Sequence, residues 1–487
     1  MISDQPMRNH ISVILSFIVP VAAILILSTF STFGLEMAFI WVAVITITAV
    51  IAVVYWHRTL ITFTDDGVMV ERNTIFKMKK TIPYAKIASV NADRTIFDRI
   101  FDTVTLKINI NSSMNATSAN AKFVFKRDIA NSVYAEMSER IHGMTSISEI
   151  SADQQDVITF STKDMLLHSL IGVSSFQAVA TISLTLLTLL QLAFFEAFAE
   201  PIITILISVL IIISCTVLPV VITIIRYYDF RLIRTDDMIW IQNGAIQNYK
   251  TSFEVSRINQ VRIRRTFFAR MFGLACIEVE VVGLGSDNET PTIALLSKED
   301  KIATIMEMIL PEFIYDAKPE KQAKGAALVI SINAIIALLI SIPASLFVLD
   351  IIKQSVLSQY SIDWVDALFE FMPYVVVIVP VLLVVLGMAL SLKNRALDRG
   401  EHLFTVISGL MDRRTNIINY DKVQIVSIRA GLIAKRLGLA KCTVRMLSSV
   451  GSKAVVTGYF TESELAAIAE RMIEKVNERL PSAIISS

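Results

Sequence analysis

The chain has few cysteines, few histidines and almost no net charge, and each shortage removes a class of protein. Its three cysteines, Cys215, Cys276 and Cys442, form no spaced set across 487 residues, which argues against a disulfide framework or a zinc site and fits a reduced compartment. The five histidines, His10, His57, His142, His168 and His402, have no metal-ligand spacing and share no place in the repeats described below. No metal centre or general base is expected from them. Lys and Arg number 45 against 44 Asp and Glu, a net charge of +1. Bases balanced locally by acids give no reason to expect nucleic acid. A phosphate-cradling lysine loop, a nucleophile elbow and an HExxH pair are all missing, and Gly283-x-Gly285 is half a dinucleotide fingerprint that reads as a turn. No catalytic residue, cofactor or metal is therefore expected, and the chain reads as a non-enzyme.

What is present is hydrophobicity in blocks. With 54% hydrophobic and 18% charged residues the chain mixes membrane and polar parts. Six windows, 11–35, 37–55, 169–195, 201–225, 326–349 and 371–392, hold no Asp, Glu, Lys, Arg or His and are long enough to cross a hydrocarbon core of about 30 Å. They predict six transmembrane helices in three hairpins, 11–55, 169–225 and 326–392. The first run is too long for a secretory leader and has no cleavage-like site before Glu36, so it is expected to be a span. Of the 45 basic residues only Lys353 lies at a hairpin tip, where Glu36, Glu196, Glu200, Asp350, Asp363, Asp366 and Glu370 gather instead. Basic residues resist translocation, so the polar blocks and both termini are expected on the cytoplasmic side. The tip 350–370, with Trp364, Phe369 and Phe371, is expected to be the sizeable external element.

The polar blocks repeat. A shift of 171 lays Thr64-Asp65-Asp66 on Thr235-Asp236-Asp237 and Phe97-x-Arg99-x-Phe101 on Phe268-x-Arg270-x-Phe272, with twelve identities in the 45 pairs from Thr64 to Ile108. A shift of 165 lays Gly273-Leu274-Ala275 on Gly438-Leu439-Ala440 and Ile263-Arg264 on Ile428-Arg429. Repeats of this kind set the architecture. Three domains are expected at 56–147, 226–313 and 393–481, with linkers at 148–168 and 314–325. In each, alternating segments such as 104–110, 276–282 and 442–447 read as half-buried antiparallel strands. Turn signals Asp66-Gly67, Asn243-Gly244 and Ser408-Gly409 separate strands. An amphipathic helix closes each block, at 128–144, at 297–310, and after the capping box Thr461-x-x-Glu464 with Leu465, Ile468, Met472, Ile473, Val476 and Leu480 at helical spacing. Gly273 and Gly438 are expected at positive φ. Phe97, Phe101, Phe267, Phe268 and Phe272, with Ile433 and Leu437 in the third copy, read as core packing of a short helix.

The order of strand, turn, strand, basic loop, and then Arg257-Ile-x-Gln260-Val-x-Ile-x-Arg265-x-Phe-x-Ala-Arg270-x-Phe-Gly-Leu-Ala275 resembles the bacterial pleckstrin-homology-like (bacterial PH domain) membrane proteins. The three copies with hairpins look like the YdbT type. The first copy departs with Asp102-Thr-Val104 in place of Gly-Leu-Ala, and the third with Ala430-Gly431 in place of Arg-Thr. The resemblance implies a mixed membrane protein: six transmembrane α-helices plus three cytoplasmic PH-like β-sandwich domains, each closed by a C-terminal α-helix. It supplies no catalytic residue.

Candidate lipid or partner contacts are basic. Arg94 and Arg99, then Arg262, Arg264, Arg265 and Arg270, then Arg429, Lys435 and Arg436 flank the repeated segment, and Lys77, Lys79 and Lys80 form a second cluster in the first copy. Near an anionic leaflet each could gain about 1 kcal/mol; the plainer alternative is solvated strand ends paired with local acids such as Asp98 and Asp102. The expected function is a non-enzymatic protein of the cell membrane whose three domains are interaction modules, in envelope maintenance or stress resistance. Its partners would be membrane lipids, a membrane protein or related subunit, or a second copy. The alternative is a transporter or lipid-handling protein with the domains as scaffold. The windows hold no ionisable group for proton coupling, while Gln177, Gln191, Asn333, Pro219, Pro343 and Pro380 within them fit helix packing.

Overall fold

The structure, a computed structural model, describes residues 5–15, 17–19, 21, 38–74, 77–94, 96–110, 121–142, 157–193, 201–245, 248–282, 290–359, 363–448 and 451–479. The window 11–35 therefore lies largely outside the described residues, as do Gly283 and Gly285. In the first copy, helix α1 (Ala38–Arg58) runs into strands β1 (Thr59–Phe63), β2 (Gly67–Asn73), β3 (Lys77–Pro83) and β4 (Ile87–Arg94). A short helix α2 (Ile96–Ile100), strands β5 (Thr103–Ile110) and β6 (Ala121–Lys126), and closing helix α3 (Arg127–His142) follow.

The second copy opens with β7 (Ile158–Thr159), α4 (Thr162–Ile171), α5 (Ser175–Ala193) and α6 (Pro201–Tyr227). Strands β8 (Arg231–Thr235), β9 (Met238–Asn243), β10 (Asn248–Glu254) and β11 (Ile258–Arg265) precede α7 (Phe267–Met271), β12 (Leu274–Val281), β13 (Thr292–Lys298) and α8 (Glu299–Ile309). The third repeats the order: β14 (Glu320–Lys321), α9 (Ala326–Gln359), α10 (Asp363–Asn394), β15 (Ala396–Arg399), β16 (Leu403–Ser408), β17 (Arg413–Asn419), β18 (Val423–Arg429), α11 (Leu432–Arg436), β19 (Leu439–Ser448), β20 (Gly451–Val456), β21 (Phe460–Thr461) and α12 (Glu462–Arg479).

Each copy folds as a sandwich of two antiparallel three-stranded faces closed by its last helix. Ile61, Val68 and Ile82 of one face meet Val90, Leu106, Phe123 and Met137 in the first core. Phe253, Val261, Ile277 and Ile305 do the same in the second, and Phe404, Ile418, Val444 and Leu465 in the third. The faces do not belong to separate sheets, however. Strand β4 pairs with β10, and β11 with β17, so the strand order runs β6-β5-β4-β10-β9-β8-β7 and β13-β12-β11-β17-β16-β15-β14. Two seven-stranded sheets are each shared by neighbouring copies, and the half-sheets β1-β2-β3 and β18-β19-β20 end the series. The second core accordingly takes in Leu403 and Ile417 of the third copy.

Several expectations change. The segments 148–168 and 314–325 are not plain linkers: of the described residues 157–168, β7 pairs with β8, and β14 pairs with β15. The segment before each hairpin thus returns to the strand after it, as Met7 does on Ile61. The third window does not form one straight span from 169. Ser169 is buried in α4, whose start is a capping box between Ser161 and Asp164. That helix ends before Gly172, and the amide of Gln177 bonds the Ser174 hydroxyl to begin the next, leaving a 63° bend. Among the described residues two helices, Ala326–Ile351 and Phe369–Asn394, are long and apolar enough to cross a membrane, or three with the bent pair. The described residues of the tip 350–370 are helical, since α9 carries Asp350 and Lys353 onward to Gln359 and α10 begins at Asp363. In α12 Leu465 and Ile468 are buried and Met472 packs partly buried on the same core, while Ile473 is exposed, turned off that face.

Gly273 and Gly438 take φ of +62° and +65°, and at the equivalent place in the first copy Asp102 adopts +49°. Aspartate tolerates this region better than most residues, which accounts for that copy's departure from glycine. Gly409 is stricter: at φ +117° an added Cβ would meet the Asp412 carbonyl oxygen at 1.7 Å, while around Gly273 the space is open. Gly409→Ala should cost about 3 kcal/mol and Gly273→Asp no more than about 1 kcal/mol. Thiol labelling of the buried Cys442 in the intact protein checks this, with acceleration of roughly a hundredfold for the first substitution and little for the second.

Candidate interaction surfaces

The basic residues grouped by sequence occupy three different environments. On β11, Arg262 and Arg264 alternate with Ile263 and point to the face where β12 carries Glu278 and Glu280. Antiparallel pairing sets Arg262 opposite Glu278 and Ile263 opposite Ile277. Arg262 donates to Asn416 Oδ1 at 3.1 Å and pairs with Glu278 at 3.4 Å and Glu280 at 3.2 Å. Arg264 donates to Glu278 at 2.6 Å and to the Gly172 carbonyl at 2.6 Å. Fully buried Glu280 also accepts from Ser448 Oγ at 2.7 Å and pairs with Lys453. Gln260 donates to Asn416 at 2.5 Å, and Asn259 to the Leu447 carbonyl at 2.8 Å. The bonds to Asn416, Ser448, Lys453 and the Leu447 carbonyl tie the second copy to the third, and the one to Gly172 reaches the bend between α4 and α5. The arginine–glutamate pairs within the second copy hold these groups in place.

Arg262 and Arg264 are thus buried or half-buried braces of the copy 2–copy 3 junction, and the expectation of a lipid contact is corrected for them. A charge desolvated this far needs its partners where they are. Arg265 pairs with Glu299 at 2.8 Å, and Arg270 lies close enough to Arg413 to lower the latter's pKa, after burial and Arg265. Burial alone would raise the Glu278 carboxyl, but Arg264 and Arg262 outweigh it and hold the group below its usual range. Burial pushes the neighbouring Cys276 thiol up to about 12.

The same junction fixes a helix. Thr266 Oγ1 donates to the Ile171 carbonyl at 2.8 Å, and the Phe267 amide donates to Ser175 Oγ at 3.0 Å. Asp412, on the β16–β17 turn of the third copy, accepts from the Ser175 amide at 3.2 Å and from its hydroxyl. The N-terminus of α5 is therefore capped by an acid from another domain, a favourable place for negative charge. Beneath it His168 is buried, its Nδ1 accepting the Leu296 amide at 3.1 Å and its ring edge-on to Tyr227.

In the first copy the contacts are looser. Arg94 pairs with exposed Asp102, and Arg99 donates to the Ala245 carbonyl across the copy 1–copy 2 junction. Lys77 and Lys79 are exposed and Lys80 half-buried on β3, where Lys79 pairs with Glu71 at 2.8 Å. In the third copy Arg429, Lys435 and Arg436 are exposed around α11.

The short helices overturn the core-packing reading of their apolar residues. Phe101, Phe267, Phe268, Phe272 and Leu437 are exposed, together with Ile100 at 69%, Met271 at 68% and Leu432 at 89%. Only the inward positions pack: Ala269 against Leu274 with Leu167 and Ile171, and Ala434 against Ala326, Val329 and Leu439, with Ile433 partly buried. Each short helix stands at the foot of its hairpin. Thr266 and Phe267 hold the bend before α5, Ala434 packs on the start of α9, and Phe101 lies against His10. Exposed apolar groups beside Arg99, Arg270, Lys435 and Arg436 at that level have the make-up of an interfacial contact.

Sequence reasoning missed Glu278, Glu280, Asp412, Asn416 and Ser175. One signal was available: two carboxylates two residues apart in the otherwise apolar run 275–282, and two arginines two apart in 261–265, are what a hairpin would set face to face.

Repeated sandwiches, each following an apolar helix, define a repeat class in which copies share sheets. The family described as bacterial PH domain matches residues 14–141, 177–307 and 328–482, one match per copy over most of the chain, and the protein belongs to this family. Each match takes in hairpin residues with the sandwich that follows. No curated protein and no solved structure matches the chain.

Replacing Glu280 with alanine takes one partner from Arg262, which keeps Glu278 and Asn416, and one from Lys453, and should destabilise the copy 2–copy 3 junction by about 1 to 3 kcal/mol. Unfolding in denaturant followed by Cys276 labelling measures it. His168 gives a pH dependence. Burial first, then the charge of Arg264 and against the opposing Glu278, lowers its pKa from 6.5 to about 4. The folded value lies below the unfolded one, so the stability this site contributes is complete above about 6.5 and is lost as pH falls toward 4, up to about 3 kcal/mol. Melting temperature should drop between pH 7 and pH 5, and His168→Gln, which keeps an acceptor for Leu296, should flatten that slope.

Proposed function

We propose that this protein is a non-enzymatic scaffold of the cell membrane, multi-pass with its termini and PH domains on the cytoplasmic side. Its three domains act as one interaction platform rather than as three independent modules. The observation that carries this reading is the sharing of sheets: two strand pairings fuse the copies, so that a partner meets a continuous surface of fixed geometry. Short helices at the feet of the hairpins support a second element, seating of the platform in the lipid interface through apolar side chains flanked by Arg99, Arg270, Lys435 and Arg436. Basic groups there gain from anionic headgroups, and the apolar ones from leaving water. Envelope maintenance or stress resistance is the setting proposed, on location alone.

The alternative of a transporter or lipid-handling protein keeps the same platform but requires a path among the hairpins, for which no described residue argues specifically. Co-purification of the intact protein in mild detergent separates the two, since a stoichiometric protein partner supports the scaffold and a single enriched lipid on a lone chain supports lipid handling. The seating is tested directly by environment-sensitive fluorophores on Met271→Cys and Leu432→Cys in reconstituted vesicles containing lipids brominated near the headgroup. Quenching several-fold stronger than for Ile473→Cys is expected. Equal, water-like signals at all three sites would remove the interfacial role.

A further inference from the structure

The two sheet-sharing junctions are built from the same strands in the same register. Strands β3 (Lys77–Pro83), β10 (Asn248–Glu254) and β17 (Arg413–Asn419) occupy corresponding positions under the shifts of 171 and 165. So do β4 (Ile87–Arg94), β11 (Ile258–Arg265) and β18 (Val423–Arg429), to within one residue at the end of β18. At the first junction Arg94, Asp93 and Ala92 pair with Asn248, Tyr249 and Lys250. At the second, Arg265, Arg264 and Ile263 pair with Arg413, Arg414 and Thr415, which are the corresponding residues one copy later. A single docking rule is applied twice.

The rule leaves one of each edge over. Among the described residues β3 has no neighbour beyond β2, and β18 none beyond β19. The first copy therefore offers the edge that β10 and β17 use, and the third offers the edge that β4 and β11 use. Both are long enough for the six-pair junction seen at β11 and β17; most of β3 is exposed, and β18 is exposed or half-buried apart from Val423. An unpaired edge is a template for another strand.

Resting on the interaction-platform reading above, we infer that β18 of one chain pairs with β3 of a second copy, in the register of the internal junctions, giving a head-to-tail assembly. Carrying the register forward sets Arg429 opposite Met78, Ile428 opposite Lys79 and Ser427 opposite Lys80. The occupant is a second copy because each free edge is the counterpart of the other and the interface continues one already made twice within the chain. The step is also compatible with a single bilayer. Every copy passes from its hairpin directly into its first strand, at Arg58 and Thr59, between Tyr227 and Arg231, and between Asn394 and Ala396, so repeating the step keeps successive hairpins on one side. Unlike a two-fold dimer, such a heterologous contact extends until it closes into a ring or continues as a row.

The test uses two full-length chains with different affinity tags, one carrying Met78→Cys and the other Arg429→Cys, oxidised together in native membranes. Opposed antiparallel residues have Cα atoms about 4.5 to 5.5 Å apart, within the range a disulfide spans. A product bearing both tags is expected, at least about tenfold above that from Lys79→Cys with Arg429→Cys, because neighbouring residues point to opposite faces. Equal yields, or no product while buried Cys276 and Cys442 stay unreactive, would overturn the pairing. So would capture of a different protein by Arg429→Cys in place of the second copy. Failure of the vesicle quenching experiment with a positive cross-link would remove the interfacial seating alone.

Discussion

Backbone hydrogen bonding between copies is the constraint on which the remaining structure depends. A sandwich with only three strands per face leaves a large share of its backbone at edges, where N–H and C=O groups face water and invite other strands. Here β10 meets β4 and β17 meets β11, so two three-stranded faces, with the short β7 or β14 added at the end, become one seven-stranded sheet. Small domains bury too little surface to be comfortably stable alone. Sharing sheets lets the second copy draw Leu403 and Ile417 of its neighbour into its own core. The copies are thus coupled in the way solenoid repeats are, by nearest-neighbour interfaces, even though a hairpin separates them in sequence.

The two junctions differ in strength, and the polar residues show why. Between copies 1 and 2 the pairing covers three residue pairs, with one buried ion pair, Lys107–Asp93, on the first copy's side, and with Arg94 and Arg99 in exposed contacts of the sort that contribute little. Six pairs join copies 2 and 3, and beneath them Arg262, Arg264, Glu278, Glu280, Asn416 and Lys453 form a buried network that reaches Gly172 and Ser175. Polar groups withdrawn from water demand complete satisfaction, so this junction accepts one geometry. Through Asp412 on Ser175 that geometry passes to the start of α5, and the angle at which the second hairpin leaves the platform is set by a residue of the third domain.

Much of the fold was legible in the sequence because its signals are local. Alternation marks β5, β12 and β19, the capping box at Thr461 and Glu464 forms as expected, and the repeat offsets locate three copies of one design. Sheet sharing was not legible, since periodicity within a copy says which side of a strand is buried and nothing about which strand lies beside its edge. That blindness carried over to the arginines. Arg264 and Arg429 are equivalent by alignment, yet one is braced against Glu278 on the neighbouring strand of its own copy and the other is exposed, because the third copy has Thr443 in the place of Glu278. The break in the third window was written in Gly172 and Ser174, but a count of uncharged residues does not see it.

The short helices show how an apolar pattern can carry two meanings. An i, i+4 spacing of Phe268 and Phe272 is what a buried helix face would have, and in isolation core packing is the more common cause. A helix of five residues has room to bury one position, however, and in α7 and α11 that position is taken by alanine, Ala269 and Ala434. Small residues there allow the turn to approach the sheet closely, which leaves the large side chains on the outer side uncovered by any described residue. Their exposure is therefore a consequence of how the turn docks, and it recurs at α2, where Ile100 and Phe101 are bare. Exposed large apolar groups scattered singly need no explanation. Three clusters at equivalent places, each beside a basic residue and at the foot of an apolar helix, call for a common one, and the interfacial seating proposed above is an account that treats all three alike.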